Sequence, residues 1–352
     1  MDLLIQAGNY TKKLLTQYVT GLLISPEKKT CTKMASWLDI RHDKLYRFLS
    51  NSDLLLPVFP RLMTKIVLYF SQKEVGDLIV DDTAINKRFA QIIEGITWIY
   101  DAVHGSQKGF SVVVILWRSK SITIPIGFKC WYGKEAAGNQ YFTKIALAKV
   151  LIKEYCKKIP FRHLIMDGLY FSTEMIQFLL DRHIGFEMRA GVNRVIQTKD
   201  GKKCKLKEHP RLKLMRNARA KTVLARWNGF DLYFTVHKRL DKNGDYSIVY
   251  LVSNINTDAK NHIQIYDRRW KIETVFRFMK QNLGMAQCSA RSIEKQQMHF
   301  YAVFYAYTVL QYEKVKKKHE LIEEPLKYFR DAKSTIVQRR INALGEFFMS
   351  VA

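Results

Sequence analysis

Apolar and polar residues follow three patterns along the chain. Up to about residue 75 the apolar residues have the spacing of helices, and strand-like alternation is largely missing. From Asp77 onward, short apolar runs bounded by turn signals are typical of strands. Helical spacing returns at about His262 and continues to the end of the chain. The sequence therefore predicts a helical beginning, a strand-rich centre and a helical end.

The central elements occur in the order that one mixed sheet requires. Strands and helices are predicted, in chain order, at 77–82, 110–117, 122–131, 139–157, 163–166, 172–182 and 185–189. The second and third strands flank a tight link and form a hairpin. This order, βββ-α-β-α-β, is that of an RNase H-like sheet, with the first strand central and the fourth strand beside it. We predict an α/β fold with a mixed sheet flanked by helices.

A differently built region interrupts this order between residues 190 and 258. Its segment 199–221 holds ten Lys or Arg residues and two acids. Asn-Gly dipeptides at 228–229 and 243–244 bracket an apolar segment, as hairpin turns do, and predict a small antiparallel β insertion. The predicted segments are a helical domain (1–75), the first part of the RNase H-like core (76–190), the basic insertion (191–258), the rest of the core (259–312) and a basic helical region (313–352).

Two short segments near the N-terminus have the size of a helix-turn-helix. They span residues 32–38 and 43–49, and Asp43 could cap the second helix. Lys44 and Arg47 would then lie on an exposed side of that helix, where they could contact DNA. Any small helical bundle has the same spacing, so a purely structural role is the alternative.

The charge of the chain favours a polyanionic partner. Lys and Arg number 58 against 32 Asp and Glu, which gives a formal charge of +26 at pH 7. Such charge repels itself in the folded state unless a polyanion neutralises it, and nucleic acid is the obvious polyanion. A basic surface that binds nothing is the alternative.

The remaining composition excludes several classes of protein. The five cysteines are scattered and form no C-x-x-C pair, so a disulfide framework and a zinc ribbon are not indicated. The N-terminus lacks the ordered regions of a signal peptide, and no apolar run approaches the roughly 20 residues of a membrane span. A phosphate-binding G-x-x-x-x-G-K-[ST] loop is missing, so ATP dependence is not supported. We expect a cytoplasmic protein with access to the chromosome and no membrane partner.

Tyr266, Arg269, Glu273 and Lys280 form the sharpest chemical feature of the sequence. On one continuous helix these four side chains would project within a stripe of about 60°. An apolar flank of the same helix would pack on the sheet. The structural alternative is a solvated helix face with an Arg269–Glu273 ion pair, which contributes only about 0.2–0.5 kcal/mol.

Two aspartates provide possible partners for Glu273. Asp82 and Asp167 each end an apolar strand, and the two strands are neighbours in the predicted sheet, so both carboxylates would lie at one edge. Three carboxylates at one point raise one another's pKa values unless divalent cations neutralise them. Oxygen ligands suit two Mg²⁺ or Mn²⁺ ions, which can activate an attacking oxygen and stabilise a leaving oxygen at phosphorus. Asp81 competes with Asp82, because adjacent residues of a strand face opposite sides.

These motifs resemble those of the IS4-type bacterial insertion-sequence transposases of the DDE superfamily. The resemblance rests on Asp82-Thr83 at a strand end, Asp167-Gly168 after an apolar strand, and the spacing from Tyr266 to Lys280, and it covers about residues 75–310. It implies that Asp82, Asp167 and Glu273 hold the metal ions, and it favours Asp82 over Asp81.

The resemblance also implies roles for the cations and the insertion. Tyr266, Arg269 and Lys280 would grip DNA near the cut phosphate, and the basic insertion would line the element end. The implied activity is cut-and-paste transposition by a homodimer that binds terminal inverted repeats and target DNA, in the bacterial cytoplasm and at the nucleoid. Two rival functions stay open: an RNase H-fold nuclease that hydrolyses DNA without joining it, and a non-catalytic DNA-binding descendant of a transposase.

Overall fold

The structure, a computed structural model, describes residues 8–101, 105–198, 201–215, 217–240 and 244–350. The chain forms two compact units. The first unit comprises Met1–Gly76, Asp82–Pro160 and Thr274–Ala352, and the second comprises Asp77–Asp81 and Phe161–Glu273.

Helices form the beginning and the end of the described chain, as the apolar spacing predicts. The α-helices are α1 (Gly8–Ile24), α2 (Cys31–Leu38), α3 (His42–Ser50), α4 (Ser52–Leu55), α5 (Val58–Ser71), α6 (Lys134–Ala137), α7 (Lys144–Tyr155), α8 (Thr173–Leu180), α9 (Ala259–Asp267), α10 (Trp270–Asn282), α11 (Ile293–Lys316), α12 (Glu323–Asp331) and α13 (Ser334–Ser350). In the first unit α11 is buried on all sides over most of its length, because its apolar residues are not confined to one stripe.

Eleven strands occur in the described residues, and both parallel and antiparallel pairs are present. The strands are β1 (Gly76–Asn86), β2 (Thr97–Asp101), β3 (Gly105–Arg118), β4 (Thr123–Trp131), β5 (Phe161–Met166), β6 (Phe186–Ala190), β7 (Val195–Gln197), β8 (Lys203–Lys205), β9 (Ala220–Trp227), β10 (Phe230–Leu240) and β11 (Tyr246–Ser253).

The first unit contains the predicted hairpin. β3 and β4 pair antiparallel, β2 pairs antiparallel with the other part of β3, and the order in this unit is β2-β3-β1. β2 is not apparent from the sequence, since it has only five residues and its outward residues Trp98 and Tyr100 are large and apolar although exposed. Phe110 and Phe128 meet Phe300 of α11 edge-on, so the core of this unit lies between the strands and that helix.

The second unit contains the predicted antiparallel insertion. Its strand order is β1-β5-β6-β11-β10-β9-β7-β8, to which β1 contributes Asp77–Asp81. β5 and β6 are parallel, while the pairs from β6 to β8 are antiparallel. The turn between β9 and β10 has positive φ at both Asn228 (46°) and Gly229 (90°), which is the conformation that Asn-Gly favours. The predicted adjacency of the first and fourth core strands is confirmed in this unit.

Four predicted details are wrong. The helix predicted at 139–157 is shorter, because Thr143 caps α7 by accepting a hydrogen bond from the Ala146 amide. Asp43 does not cap α3, since Arg41 occupies the cap position and makes no side-chain cap bond. Asp82 does not end its strand, because β1 continues to Asn86. The helix predicted from about His262 to Gln281 is divided into α9 and α10.

The predicted fold class is confirmed: mixed strands flanked by helices with a helical N-terminal region, consistent with an RNase H-like arrangement. One stretch, Ser52–Ser71, has the length and apolar composition of a membrane span, contrary to the expectation from the sequence. This is weak evidence for a membrane segment, because a core helix has the same properties, and Met63, Ile66 and Val67 are fully buried.

Candidate functional site

Strand β1 carries two adjacent aspartates at the point where its burial changes. From Gly76 to Val80 every residue is buried, as in a strand covered on both faces. From Asp82 onward burial alternates: Asp82, Ala84 and Asn86 are partly exposed, whereas Thr83 and Ile85 are buried. One face of this second half therefore reaches solvent, and Asp82 lies on it.

In the first unit, Asp82 is bound by a lysine that the sequence analysis missed. Its Oδ2 accepts hydrogen bonds from Lys144 Nζ at 2.6 Å and from Ser111 Oγ at 2.9 Å. Lys144 is the first residue of α7, and its ammonium also lies 5.4 Å from the Trp131 ring centroid. A cation at a helix N-terminus is unfavourable, because it opposes the helix dipole. The position of Lys144 directly after the capping Thr143 is therefore the one sequence signal that this lysine pairs with a carboxylate outside its own helix.

In the second unit, Arg269 joins two carboxylates. Its guanidinium donates to Asp81 Oδ2 at 2.5 Å and to Glu273 Oε1 at 2.8 Å, and the side chain is 13% exposed. Burial would lower the pKa of Arg269, but the negative charge of Asp81, followed by the other nearby groups, outweighs it and raises the pKa. The guanidinium is therefore a fixed positive charge between Asp81 and Glu273.

Tyr266 connects Asp167 to the same cluster. The Tyr266 hydroxyl donates a long hydrogen bond of 3.5 Å to Asp167 Oδ1, and the Arg269 guanidinium carbon lies 5.8 Å from the Tyr266 ring centroid. Burial raises the pKa of Tyr266 to about 12, so its hydroxyl keeps its proton near neutral pH and acts as a donor. The structure thus brings Asp167, Tyr266, Arg269 and Glu273 together in the second unit.

The geometry that joins these residues is a tight turn, not the predicted continuous helix. Between α9 and α10 the amides of Arg268, Arg269 and Ile272 donate to carbonyls three residues earlier. Such bonds wind the chain more tightly than an α-helix, so the regular stripe of about 100° per residue does not extend from Tyr266 to Glu273. The predicted apolar flank is confirmed, since Ile272 and Met279 are fully buried.

Asp77, near the start of β1, is buried and ion-paired. It is 1% exposed and accepts hydrogen bonds from Arg268 at 2.7 Å and from His163 at 3.0 Å. Burial would raise the pKa of Asp77, but the hydrogen bonds from His163 and Arg268 lower it. His163 thus makes a structural contact with Asp77.

The remaining predicted DNA contacts lie on partly or fully exposed surfaces. Lys44 and Arg47 are exposed on α3, and Arg47 forms an ion pair of 2.8 Å with Asp43. Lys280 is half-buried on α10. DNA contact by these three residues stays a prediction. Trp227 of the basic insertion is buried against Phe171 at 4.3 Å between ring centroids.

The donor chemistry of the three predicted ligands fits a divalent cation. Asp82, Asp167 and Glu273 are each partly exposed, so water and phosphate oxygens can approach their carboxylates, as Mg²⁺ requires. Among the described residues, no group of three or more His, Cys, Asp or Glu side chains lies close enough together to form a metal site. The joint binding of metal by these three residues therefore stays a prediction.

Comparison with known proteins adds one finding. A family model described as "Transposase DDE domain" matches residues 76–309, which is roughly two thirds of the chain. No curated protein matches the chain. The matched range contains Asp82, Asp167 and the residues from Tyr266 to Lys280, and it excludes Lys44 and Arg47.

Proposed function

The chain belongs to the transposase DDE domain family, and on that premise we propose that it cuts DNA strands at the ends of an insertion sequence and joins them to target DNA. A transposase of this family acts on DNA, and such enzymes generally use divalent metal ions. We further propose the IS4-type subfamily, a bacterial cytoplasmic setting at the nucleoid, a cut-and-paste reaction and a homodimeric synaptic complex.

The observation that supports this proposal most is the contact cluster of the second unit. Asp167, Tyr266, Arg269 and Glu273 are far apart in sequence, yet each contacts another member of the cluster. We assign Asp82, Asp167 and Glu273 as the ligands of two Mg²⁺ or Mn²⁺ ions. Bound there, the ions would activate the attacking oxygen and stabilise the leaving oxygen at phosphorus.

The other side chains of the cluster have assigned roles in positioning. Arg269 fixes the orientation of the Glu273 carboxylate through a charge-assisted hydrogen bond, and its planar fork can also bind a DNA phosphate. The protonated Tyr266 hydroxyl can donate to Asp167 or to a phosphate oxygen. Lys280 supplies a further positive charge on α10 for the DNA backbone.

The proposal is tested by DNA cleavage with single-carboxylate variants. The substrate is a supercoiled plasmid that carries the DNA found on both sides of the gene, with Mg²⁺ or Mn²⁺ added. Asp82→Asn, Asp167→Asn and Glu273→Gln should each lower the cleavage rate about a thousandfold, equivalent to about 4 kcal/mol of transition-state stabilisation. The control Asp231→Asn changes an exposed carboxylate on β10 and should keep the wild-type rate.

The same assay separates the rival functions. A wild-type chain that binds the plasmid but never nicks it, with or without metal, is a non-catalytic DNA-binding protein. A chain that nicks but cannot join a pre-cut element end to target DNA is a nuclease. Either result rejects transposition as the function.

A second measurement tests directly whether the three carboxylates share metal. Fe²⁺ bound in place of Mg²⁺, with ascorbate and peroxide, generates radicals that cut the protein backbone beside the ion. Fragments ending near residues 82, 167 and 273 are expected together, and excess Mg²⁺ should suppress all three. Cuts near one or two of these positions, unaffected by Glu273→Gln, would refute the assigned ligand set.

A further inference from the structure

A histidine and a glutamate meet in the interior of the second unit. Nδ1 of His262 on α9 lies 2.7 Å from Oε2 of Glu187 on β6, within hydrogen-bond distance, and both side chains are fully buried. We call these two residues the buried pair. Since neither side chain is accessible to metal or DNA, the proposed chemistry has so far given the pair no role.

Stability alone does not explain the buried pair. Burial of two ionisable groups costs solvation free energy, which their mutual attraction offsets only in part. Burial accordingly raises the pKa of Glu187. An apolar pair of similar volume is often as stable or more stable. A hydrogen bond, however, requires one distance and one direction, whereas apolar contacts form at several relative positions. The pair therefore contributes a defined position of α9 on β6.

The buried face of α9 contains two polar residues. α9 packs on β5, β6, β9, β10 and β11, and its buried residues are His262, Ile265 and Tyr266. These three lie at the spacing of one helix face. His262 contacts the Glu187 carboxylate, and the Tyr266 hydroxyl contacts the Asp167 carboxylate. Two polar contacts, one helical turn apart, thus determine where this face lies on the sheet.

The strands beneath α9 have the spacing that both contacts require. β5 and β6 are adjacent and parallel, and Glu187 lies opposite Ile165, two residues before Asp167. Two strand residues span about 6.6 Å at roughly 3.3 Å per residue. His262 and Tyr266 are four residues apart in the helix, which is about 6 Å at a rise of about 1.5 Å per residue. Because the two spacings agree, both contacts form in one register of α9.

The contact between Tyr266 and Asp167 is sensitive to this register. The hydroxyl lies 3.5 Å from Asp167 Oδ1, at the long limit of a hydrogen bond, so a small movement of α9 away from β5 breaks the contact. His262 lies one turn before Tyr266 on the same face, so a bond at His262 restrains the position of Tyr266.

We propose that Glu187 and His262 are positioning residues for the proposed strand cleavage. Their hydrogen bond fixes the register of α9 and thereby holds the Tyr266 hydroxyl at Asp167, one of the assigned metal ligands. The effect on cleavage rests on the proposed function, whereas the effect on the position of Tyr266 does not depend on it.

The main test replaces both members of the pair at once, Glu187→Met together with His262→Leu. This double replacement leaves neither partner buried alone, so the midpoint of thermal unfolding should not fall. Cleavage at saturating DNA should nevertheless slow by about tenfold or more, because a misplacement of about 1 Å can lower a rate by about a hundredfold. The affinity for DNA should stay the same, since the pair is buried.

A second background tests whether the effect passes through Tyr266. Tyr266→Phe removes the hydroxyl and keeps the ring. In this background the double replacement should lower the cleavage rate by less than about twofold, because residues that act as one unit are not additive. Fully additive losses would show that the pair only supports the fold in general, and would overturn the assignment.

A conservative variant and a matched control complete the series. Glu187→Gln keeps a group that can hydrogen-bond to the imidazole, so it should retain most of the cleavage rate. Thr235→Val is the control, since it removes a hydrogen bond of 2.8 Å between the Thr222 and Thr235 hydroxyls of the same sheet, and Thr235 is buried. It should keep the wild-type rate. A loss as large as that of the double replacement would contradict the assignment.

A measurement without DNA separates this inference from the proposed function. Tyrosine labelled with ¹³C at Cζ gives a nuclear magnetic resonance signal for Tyr266, which Tyr266→Phe assigns. In the otherwise wild-type chain, Asp167→Asn should shift this signal, because the hydroxyl contacts that carboxylate. In the chain with the double replacement, Asp167→Asn should leave the signal unchanged. Equal shifts in both proteins would show that the buried pair does not hold Tyr266 in place.

The two proposals can therefore fail separately. A chain that never cleaves DNA, but loses the contact between Tyr266 and Asp167 on double replacement, keeps the positioning assignment and loses the proposed function. A chain that cleaves DNA at the wild-type rate after the double replacement keeps the proposed function and loses the positioning assignment.

Discussion

The region around Asp77 and Asp81 in the second unit and the region around Lys87 and His299 in the first unit differ in what they place beside buried ionisable side chains. In the second unit, Asp77 and Asp81 receive hydrogen bonds from the guanidinium groups of Arg268 and Arg269. In the first unit, His299 and Lys87 face uncharged partners: His299 lies between the Tyr18 hydroxyl and the Gly284 carbonyl, and Lys87 donates to carbonyls.

This difference decides which groups keep their charge. Charged partners hold the pKa of Asp77 low and that of Arg269 high despite burial. Burial lowers the pKa of His299 to about 4 and that of Lys87 to about 8, because hydrogen bonds to uncharged groups do not offset the loss of solvation. The pKa of a buried ionisable group therefore favours the charged form where an opposite charge is fixed beside the group, and shifts toward the neutral form where its hydrogen-bond partners are uncharged.

Glu187 shows that the kind of partner also matters. It is fully buried and bound to His262 at 2.7 Å, yet burial raises its pKa to about 7, and the imidazole offsets this only in part. Histidine can shed its own charge, so it fixes a carboxylate less firmly than arginine does.

Removing the arginine between Asp81 and Glu273 should have the largest effect. Arg269→Met leaves two carboxylates near each other without this cation and should lower the free energy of unfolding by about 3–5 kcal/mol. Urea denaturation at pH 7 measures it. Arg269→Lys is the control and should recover only part of the loss, because an ammonium cannot reproduce the two-pronged contact. A loss below about 1 kcal/mol for Arg269→Met would show that the guanidinium does not stabilise the two carboxylates as described.

Acidification should have the next largest effect, through His299. Its pKa is about 6.5 in the unfolded chain and about 4 in the folded one, so the unfolded state binds the proton first as pH falls. The stability from this group is present above pH 6.5 and is lost as pH falls through 4, by about 3 kcal/mol. Denaturation series of the wild type and His299→Gln should diverge in this window, and parallel curves would contradict the prediction.

Lys87 should show the corresponding effect in alkali, with a small net change at pH 7. Lys87→Met removes a costly buried charge but also two hydrogen bonds, so the free energy of unfolding should change by less than about 1–2 kcal/mol. The folded pKa near 8 lies below the unfolded value, so the wild type gains stability from pH 8 to pH 10.5, and the variant should lack this gain. Equal gains in both proteins would show that Lys87 keeps its charge.

Replacing Lys144 should have the smallest effect on stability. The ion pair between Lys144 and Asp82 is more exposed to solvent than the ion pair between Arg269 and Asp81. Lys144→Met should lower the free energy of unfolding by less than about 1 kcal/mol. It should raise the affinity for Mn²⁺ severalfold, since the ammonium no longer competes for the carboxylate, and Mn²⁺ titration monitored by electron paramagnetic resonance measures this. The control Lys149→Met lies on the same helix and should leave Mn²⁺ affinity unchanged.

Local signals in the sequence predicted the parts of the fold that depend on near neighbours. The Asn228-Gly229 turn is set within a few residues, and it was predicted correctly. The tight turn at Arg268 and Arg269 was missed, because their partners Asp77 and Asp81 lie far away in sequence. Helical spacing alone cannot show that these distant ion pairs accompany an interruption of the helix.

The same limit applies to the candidate site. The spacing of Tyr266, Arg269 and Glu273 identified residues that do meet in space, although it assumed the wrong local geometry. It could not identify Lys144, because the contact with Asp82 depends on how α7 packs beside β1.

The alternating half of β1 has a consequence for mutations that inactivate the chain. Sliding this strand by one residue would push Thr83 and Ile85 into water and bring Asp82 into the interior, so only one register satisfies the burial of the strand. The burial of Thr83 and Ile85 thus fixes the side of the strand on which the Asp82 side chain lies. Inactive relatives of this chain should therefore carry substitutions at Ile85 as well as at Asp82. Replacing Ile85 with a polar residue should abolish the proposed DNA cleavage although the acidic residues are unchanged.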